Sequence, residues 1–390
     1  MSSIKENFRQ YAIFIALIFI AILFQILTNG ILFMPANITN LILQNSHVLI
    51  LAIGMTLVIV IGKIDLSVGS VLGLSSALSG AFIINMGLPV WFSIIAVLFI
   101  GGCIGAWQGF WIAYKNVPFF VVTLAGMMIF RSLTMVILGG RMLSPLPTHF
   151  QIMAAGFVPD VLYGSAYNVT AIVVCAILAM ILIIMEIVKR RSAKKLDLEV
   201  ASFPLFVLKI IVMVAVISLF AYWFSASNGI PNVLVVLSAL ILIYSYITLR
   251  TITGRHIYAT GRNEKASYLS GIKTKKIIFW VYVNMGFLAA LAGLVFTARL
   301  NAAMPRAGDG AELQAIAAAF IGGASPSGGV GKVSGAIAGV LIVGILENGL
   351  NILGVSEDIR QVAIGLVLLA AVIFDVLVKS RVAKKAKIKG

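Results

Sequence analysis

Runs of apolar residues, each long enough to cross a membrane as a helix, recur along the chain of 390 residues. A helix needs roughly 17 to 25 mostly apolar residues to span a bilayer. The pattern therefore predicts an all-α polytopic membrane protein with about 12 apolar segments. Eleven predicted spans cover 11–28, 47–62, 67–85, 89–114, 118–139, 169–189, 206–226, 232–249, 277–299, 334–352 and 359–378.

The twelfth apolar segment, 311–324, is shorter than the others. At a rise of 1.5 Å per residue it would extend about 21 Å. The hydrocarbon layer of a bilayer is about 30 Å thick. We therefore expect this segment to be a short helix shielded by its neighbours, or a broken helix.

The composition agrees with a chain that lies mostly in lipid. Hydrophobic residues make up 61% of the chain and charged residues 11%, and the mean hydropathy is +1.10. Soluble proteins keep about 25% charged residues. Cys103 and Cys175 lie in apolar runs without a metal or redox motif, so we expect both to be small core residues.

Positive charges are distributed unequally between the two ends of the predicted spans. With the N-terminus inside, 24 of the 29 Lys and Arg residues fall on the cytoplasmic side, and Arg131 falls within a span. The opposite side has four, which are Arg141, Arg299, Arg306 and Arg360. This bias follows the positive-inside rule and predicts cytoplasmic N- and C-termini. The net charge of +16 then reflects topology and attraction to anionic membrane lipids, and no nucleic-acid partner is expected.

A short pattern, Ile-Gly-x4-Ser-x-Gly, occurs twice, in "IGKIDLSVG" (Ile61–Gly69) and "IGGASPSGG" (Ile321–Gly329). Both copies fall at a break between predicted spans on the cytoplasmic side. The match predicts a weak internal repeat, and transporters built from repeats often place the substrate path between them. Close packing of membrane helices is the alternative role of the small residues around both breaks.

We expect one transmembrane domain over the whole chain, 1–390. Within it, the weak repeat separates a first half, 1–140, from a second half, 231–390. An additional middle segment with two spans, 140–230, lies between them. The second half includes a long basic loop, 250–276.

Motifs for metal or nucleotide chemistry are missing from the sequence. The three histidines lie far apart, and neither H-E-x-x-H nor C-x-x-C occurs. The segment "SGGVGKV" resembles a nucleotide-binding loop, but Pro326 and Val333 stand where that loop needs Gly and a hydroxyl residue. We therefore predict a chain that is not an enzyme, holds no metal and lacks its own nucleotide site.

Ionisable residues within or beside membrane spans are costly and mark candidate sites. Asp65 and Ser67 lie at the first break, where the Asp65 carboxylate is expected to cap the following helix. Arg131 is a candidate partner for one of the carboxylates within the spans. Glu186 and Asp375 lie beside lysines near cytoplasmic span ends, which favours a solvated or paired structural role.

Glu347, Asn348 and Asn351 form a polar patch in an otherwise apolar predicted helix. Residues four apart share a helix face. The patch is a candidate for hydrogen-bonding an uncharged polar solute, and hydrogen bonds between helices are the alternative. With the two break residues and the arginine named above, these three complete the predicted substrate pathway.

The loop 250–276 holds seven Lys or Arg residues and one Glu, and it contains the signature of a short helix. Asn263 suits the N-cap, Glu264 the first turn and Gly271 the stop. A small apolar face is formed by Ala266, Leu269 and Ser270. A segment lying on anionic headgroups is one interpretation of this pattern.

Three segments together resemble the membrane permease subunit of sugar ABC importers, in the ribose/xylose/galactose branch. They are "GMTLVIVIGKIDLSVGSVLGL" (54–74), "GRHIYATGRNEKASYLSGIKTKK" (254–276) and "AIAAAFIGGASPSGGVGKVSGAIAGVLIVGILENGLNILGV" (315–355). The resemblance covers nearly the whole chain. Ribose-type members lack most of the stretch 145–230, so this longer chain is more similar to the xylose-type and multiple-monosaccharide permeases.

The resemblance implies a division of labour between subunits. An extracytoplasmic binding protein captures the sugar, and two permease copies, or two related permeases, form the path. A separate cytoplasmic ATPase subunit with two nucleotide-binding domains uses ATP, and this chain binds no cofactor. The chain would be a multi-pass protein of the cell membrane. Its coupling helix would dock on the ATPase through Tyr258, Asn263, Glu264, Ala266, Leu269 and Gly271.

A twelve-span secondary sugar transporter, coupled to protons or sodium, is the alternative. The basic segment 189–204 after the sixth span suits that class. However, the loop "GKIDLSVGS" after the predicted span 47–62 lacks the Lys- and Arg-rich signature of that class, and proton-binding carboxylates are hard to find. We therefore expect an ATP-driven importer of a monosaccharide, xylose or a related pentose or hexose.

Overall fold

The computed structural model describes residues 2–162, 167–196, 202–370 and 373, with side chains described from residue 13 onward. All of its regular elements are helical, apart from two isolated bridges between loops. The helices are α1 (Ser2–Leu27), α2 (Pro35–Val60), α3 (Val68–Gly80), α4 (Val90–Ala113), α5 (Phe119–Leu138), α6 (Thr148–Ala155), α7 (Val169–Lys195), α8 (Phe203–Ser225), α9 (Asn232–Arg250), α10 (Ile252–Arg262), α11 (Glu264–Leu269), α12 (Thr274–Leu300), α13 (Ala311–Ile321), α14 (Val333–Ile352) and α15 (357–370).

The prediction of an all-α polytopic membrane protein is confirmed. In the described ranges, nine helices are long and apolar enough to cross a membrane, counting α3 together with the π-helical turn Ala81–Asn85. These nine are α2, α3, α4, α5, α7, α8, α9, α12 and α14. The described part of α1 and the whole of α13 are shorter apolar helices.

Helix α13 matches the expectation of a short helix shielded by its neighbours. Its 11 residues extend about 17 Å, roughly half the thickness of the hydrocarbon layer. Most of its side chains are buried, and it packs against α14 and α2. Protein contacts can therefore satisfy the backbone at its two ends, which lipid could not do.

Helix α2 begins twelve residues earlier than the predicted span 47–62. The part of α2 before residue 47 contains several polar residues, of which Thr39, Asn45 and Ser46 are buried in the protein. Most of the helix is buried inside the protein. A helix surrounded by protein does not need the apolar surface that lipid requires, so hydropathy alone placed its start too late.

The core of the molecule lies around α2, α3 and α12. Helix α12 packs along α4, α3 and α2, and Tyr282 on α12 is fully buried. Its contact with α4 depends on glycine, because a Cβ at Gly105 would lie 2.2 Å from the carbonyl oxygen of Tyr282. This contact is the close helix packing that small residues allow in membranes.

The middle segment forms a hairpin of α7 and α8 at the side of this core. Helix α7 packs mainly on α8, and α8 contacts α2. The Lys209 Nζ lies 2.6 Å from the Glu186 Oε2, which confirms a structural role for Glu186. Cys175 is buried in this hairpin as expected, but Cys103 is exposed, because it lies on the outer face of α4. The predicted role of Asp375 falls outside the described residues.

Candidate translocation cavity and coupling segment

A polar cavity of about 830 Å³ opens between α2, α12, α13, α14 and α15. This volume lies within the roughly 300–1,000 Å³ of small-molecule pockets. Eight charged residues line it, four of each sign, and amide side chains lie between them. The charged residues are Arg131, Arg299, Arg306, Arg360, Asp309, Glu347, Glu357 and Asp358.

The balance of charge limits what this cavity favours. Four arginines and four carboxylates oppose one another, so the lining selects neither an anion nor a cation by net charge. Carboxylate and guanidinium groups, together with Gln44 and Gln314, offer both acceptors and donors to hydroxyl groups. The cavity therefore suits an uncharged solute that carries many hydroxyl groups.

The three residues of the predicted polar patch all line the cavity, but they differ in their contacts. The Gln314 Nε2 lies 3.5 Å from the Glu347 Oε2, and Arg360 donates to the Asn351 side chain. Asn348 instead forms a reciprocal amide pair with Asn37 on α2, at 2.9 and 3.2 Å. The structure thus shows Asn348 joining two helices, whereas Glu347 and Asn351 lie among cavity side chains.

Arg131 reaches the cavity from α5 and has two acidic neighbours. Its Nη2 lies 3.0 Å from the Asp309 Oδ1 and 3.6 Å from the Glu312 Oε1. The expected pairing of Arg131 with a carboxylate is confirmed, and Glu312 is the buried member of this group. The Arg131 guanidinium therefore compensates the negative charge of the Glu312 carboxylate, which is buried at the start of α13.

Asp65 and Ser67 lie in a different place, away from the residues that line the cavity. The Asp65 Oδ1 accepts the Ser67 backbone N–H at 2.9 Å and the Ser67 hydroxyl at 2.6 Å. The Gln108 Nε2 donates to the Ser67 Oγ at 2.7 Å. Asp65 therefore binds the N-cap residue Ser67 and not the free N–H groups in the first turn of α3, so the expected cap by Asp65 is not formed. Burial raises the pKa of the Asp65 carboxyl to about 6, although both Ser67 hydrogen bonds oppose this rise.

Sequence reasoning missed several lining residues. Arg299, Arg306 and Arg360 line the cavity, and each was an exception to the positive-inside bias. These exceptions were the available signal, because an arginine on the opposite side needs some other reason to be there. Gln44 was missed since the start of α2 was placed too late, and His47 was included in a predicted span without being recognised as a lining residue. The His47 ring packs edge-on against Phe296, with ring centroids 5.0 Å apart.

The basic loop contains two helices, α10 and α11, where the sequence predicted one. The Asn263 Oδ1 accepts the Ala266 N–H at 2.9 Å, Glu264 lies in the first turn of α11, and Gly271 adopts a φ of +86°. The predicted cap, first turn and stop are therefore confirmed. Leu269 is 84% exposed at the end of α11, and Ala266 beside it is exposed.

Tyr258 has a different environment from the other predicted docking residues. Its hydroxyl donates to the Gly331 carbonyl oxygen at 2.6 Å, so it joins α10 to the loop before α14. Burial raises the pKa of this phenol, which stays protonated and able to donate at neutral pH. Tyr258 thus holds α10 against the rest of the chain.

The two similar breaks lie against each other at the same end of the molecule as α10. The Gly329 N–H donates to the Val60 carbonyl oxygen at 2.8 Å. A Cβ at Gly328 would lie 3.1 Å from the backbone of Gly62. The cavity lies at the opposite end of α14, because Glu347 and Asn351 are near the last turn of that helix.

Within the described ranges, no group of three or more His, Cys, Asp or Glu residues is arranged to hold a metal ion. Comparison with known families gives a match over residues 37–372 to the family described as "Branched-chain amino acid transport system / permease component". In this family of ABC permease components, ATP is hydrolysed by a partner ATPase, so the chain is not an enzyme. Membership disfavours the alternative of a secondary transporter.

Several curated proteins are similar along almost their whole length. The xylose transport system permease protein XylH of Haemophilus influenzae is 36% identical over 369 residues, covering 95% of this chain and 96% of that protein. XylH of Escherichia coli K12 is 35% identical over 376 residues, with 96% and 93% covered. The ribose import permease protein RbsC of Haemophilus influenzae is 37% identical over 362 residues, with 93% and 91% covered.

No solved structure gives a significant match to the chain. The family match spans most of the 390 residues, and the similar proteins exceed 30% identity over more than nine-tenths of the chain. Together with the helices long enough to cross a bilayer, this places the chain in the cytoplasmic membrane as a multi-pass protein. The chain therefore belongs to the family of ABC transport-system permease components that also contains these xylose and ribose permeases.

Proposed function

We propose that this chain is the permease subunit of an ATP-driven importer for a neutral monosaccharide, xylose or a related pentose or hexose. The main support for this proposal is the cavity. The charges of its four arginines and four carboxylates cancel, and its amide side chains can bind hydroxyl groups. The names of the similar proteins, which are xylose and ribose permeases, support the same class of solute.

In this proposal the cavity is the outer part of the substrate path. The positive-inside rule predicts that the C-terminal ends of α12 and α14 lie on the outer side of the membrane. A binding protein would deliver the sugar there. Glu347, Asn351 and Arg131 would meet the sugar hydroxyls there. Asp65 and Ser67 would act further inside, where they hold the start of α3 in position for the inward-opening state.

The energy would enter at α11. A cytoplasmic ATPase subunit with two nucleotide-binding domains would receive Leu269 and Ala266 in a groove, as a short helix binds through an apolar anchor. The Asn263 cap and the Gly271 stop would fix the shape of this tip. A second permease copy or a related permease would complete the membrane part, surrounded by lipid.

Reconstitution tests the path. The permease, its ATPase and its binding protein are placed in proteoliposomes, and uptake of labelled xylose is measured with single sugars as competitors. Glu347→Ala and Arg131→Ala should each lower uptake about tenfold or more, since each removes a charge-assisted hydrogen-bond partner in the cavity. Arg141→Ala is the matched control, because Arg141 is exposed outside the cavity. Normal uptake by both cavity variants, correctly inserted, would contradict the proposed path.

Docking of the ATPase on α11 is tested by introducing a charged residue at the end of this helix. Leu269→Asp should prevent co-purification of the ATPase and abolish uptake, because a carboxylate cannot enter an apolar groove. Leu196→Asp is the matched control, since Leu196 is also an exposed loop leucine, at 70%. If the ATPase stays bound to Leu269→Asp, the result favours a segment that lies on lipid headgroups instead.

A further inference from the structure

Three stretches of backbone meet at Gly261, in the last turn of α10. A Cβ at this position would lie 1.7 Å from the Val60 carbonyl oxygen and 2.8 Å from the Gly329 backbone nitrogen. Both distances are below any real contact of a Cβ atom. Gly261 therefore lets α10 touch the end of α2 and the loop between α13 and α14 at one point, which we name the junction.

Other contacts hold the junction together. The Gly329 N–H donates to the Val60 carbonyl oxygen at 2.8 Å, which joins the two breaks directly. A Cβ at Gly328 would lie 2.6 Å from the Gly261 carbonyl oxygen. The Tyr258 hydroxyl, one turn earlier on α10, donates to the Gly331 carbonyl oxygen at 2.6 Å. Helix α10 is thus fixed to both breaks by backbone contact and by a side-chain hydrogen bond.

The backbone conformation of Gly261 does not require glycine. The residue is helical and lies outside the left-handed region, and alanine favours helices more strongly than glycine does. The close approach of Val60 and Gly329 is therefore the physical reason for a residue without a side chain. A methyl group here would push α10 away from both breaks without altering the exposed tip of α11.

Three of the helices that enclose the cavity also leave the junction. Helix α2 runs from the junction to Gln44 and His47, α13 runs to Ala311, and α14 runs to Glu347, and all four residues line the cavity. Closely packed helices transmit displacement as solid elements, because their interiors have little free volume. A shift of α10 would therefore reach three cavity walls together.

We propose that Gly261 is a positioning residue for energy coupling, whose bare backbone lets α10 transfer movement of the ATPase to both breaks at once. This inference rests on the proposed docking of the ATPase at α11. It adds that the step from the docking helix to the transport path occurs by backbone contact at the junction, and that the distance between α10 and Val60 sets the coupling efficiency.

The experiment measures ATP hydrolysed per sugar imported, in proteoliposomes that hold the complete importer. Gly261→Ala should keep the ATPase bound and ATP hydrolysis within about twofold of the wild type, while the ATP cost per sugar rises about tenfold, within the 5–150-fold range of typical coupling between sites. Gly102→Ala is the control, because no described atom lies within 4 Å of a Cβ there.

Tyr258→Phe provides a second variant that adds no volume and removes only the hydrogen bond to Gly331. It should also raise the ATP cost per sugar, to a smaller extent. If Gly261→Ala fails to insert into the membrane, Tyr258→Phe alone tests whether the attachment of α10 to the breaks sets this cost. An unchanged ratio in either inserted variant would overturn the proposal. A parallel loss of ATPase binding and uptake would also overturn it, because Gly261 would then serve assembly alone. ATP-dependent sugar uptake by the wild type tests the proposed function separately.

Discussion

At the scale of single residues, polar groups of similar appearance in the sequence have different tasks in the fold. Asp65 and Glu347 are both carboxylates beside apolar segments, yet Asp65 accepts two hydrogen bonds from Ser67 in a closed cluster and Glu347 lies in a cavity. The sequence context of Asp65 predicted a cap because a helix start followed it directly. Which carboxylate faces the cavity depends on helix rotation, which local sequence does not encode strongly.

Asp65 makes the stability of the protein depend on pH. Its folded-state pKa of about 6 exceeds the value near 3.9 of an exposed Asp, so the folded state holds this proton more tightly and stability falls as pH rises from about 4 to 6. The difference corresponds to at most about 3 kcal/mol. Asp65→Asn keeps an acceptor for Ser67 and should raise the thermal midpoint in detergent at pH 7.5.

The control for this prediction is the same pair of proteins at pH 4, where the midpoints should converge. Other carboxylates titrate in this window too, so the informative quantity is the difference between wild type and Asp65→Asn. Asp65→Ala, which also loses the acceptor of the two Ser67 hydrogen bonds, should be less stable than Asp65→Asn at both pH values. A constant difference between wild type and Asp65→Asn from pH 4 to 7.5 would show that burial of Asp65 does not govern this proton.

At the scale of helices, the long apolar elements could be predicted closely from sequence. The predicted spans 89–114 and 206–226 differ from α4 and α8 by at most three residues at either end. The start of α2 and the division of the basic loop into α10 and α11 could not be predicted this way. The start of α2 depends on polar side chains that are buried by tertiary contacts, and the hydropathy of a segment does not distinguish burial in protein from exposure to water.

The reciprocal amide pair between Asn37 and Asn348 should stabilise the contact of α2 with α14. Hydrogen bonds between membrane helices contribute about 0.6 kcal/mol on average and up to about 2. Asn37→Ala and Asn348→Ala should each lower the thermal midpoint, and the double variant should lose less than the two effects added together. Half-saturating sugar concentrations for uptake should remain near that of the wild type in all three.

Two other results would indicate that Asn348 binds the sugar and does not join the helices. Additive losses of stability would mean that the two amides do not cooperate, and a raised half-saturating concentration for Asn348→Ala alone would mean that its amide binds sugar. Asn351→Ala serves as comparison, because Asn351 lies in the cavity with Arg360 as its partner. This variant should raise the half-saturating concentration without weakening the contact between α2 and α14.

At the scale of the whole molecule, the cavity and the coupling segment lie at opposite ends of the same helices. The loop charges predicted which end faces the cytoplasm, while the shape of the cavity required the packing of six helices from distant parts of the chain. The sequence likewise did not predict which residues of α10 and α11 are exposed. Tyr258 on α10 points inward to Gly331, whereas Leu269 on α11 is exposed.

The orientation can be measured by labelling single cysteines in a variant that lacks Cys103 and Cys175. Leu196→Cys and Leu269→Cys should react with a membrane-impermeant maleimide in inverted vesicles only, and Met86→Cys and Val161→Cys in right-side-out vesicles only. All four native side chains are more than half exposed at the surface of the protein, so the protein itself does not shield the introduced thiols. Reaction of Leu269→Cys in right-side-out vesicles would contradict the predicted topology.

The balanced charge of the cavity has an electrical consequence. A neutral sugar crossing a lining with equal numbers of arginines and carboxylates carries no net charge through the membrane field, which would otherwise contribute about 2.3 kcal/mol per charge at 100 mV. The import step should therefore be electrically silent, and clamping the membrane potential should leave the rate unchanged. The sugar gradient that a cell can build through this permease then depends on the free energy of ATP alone.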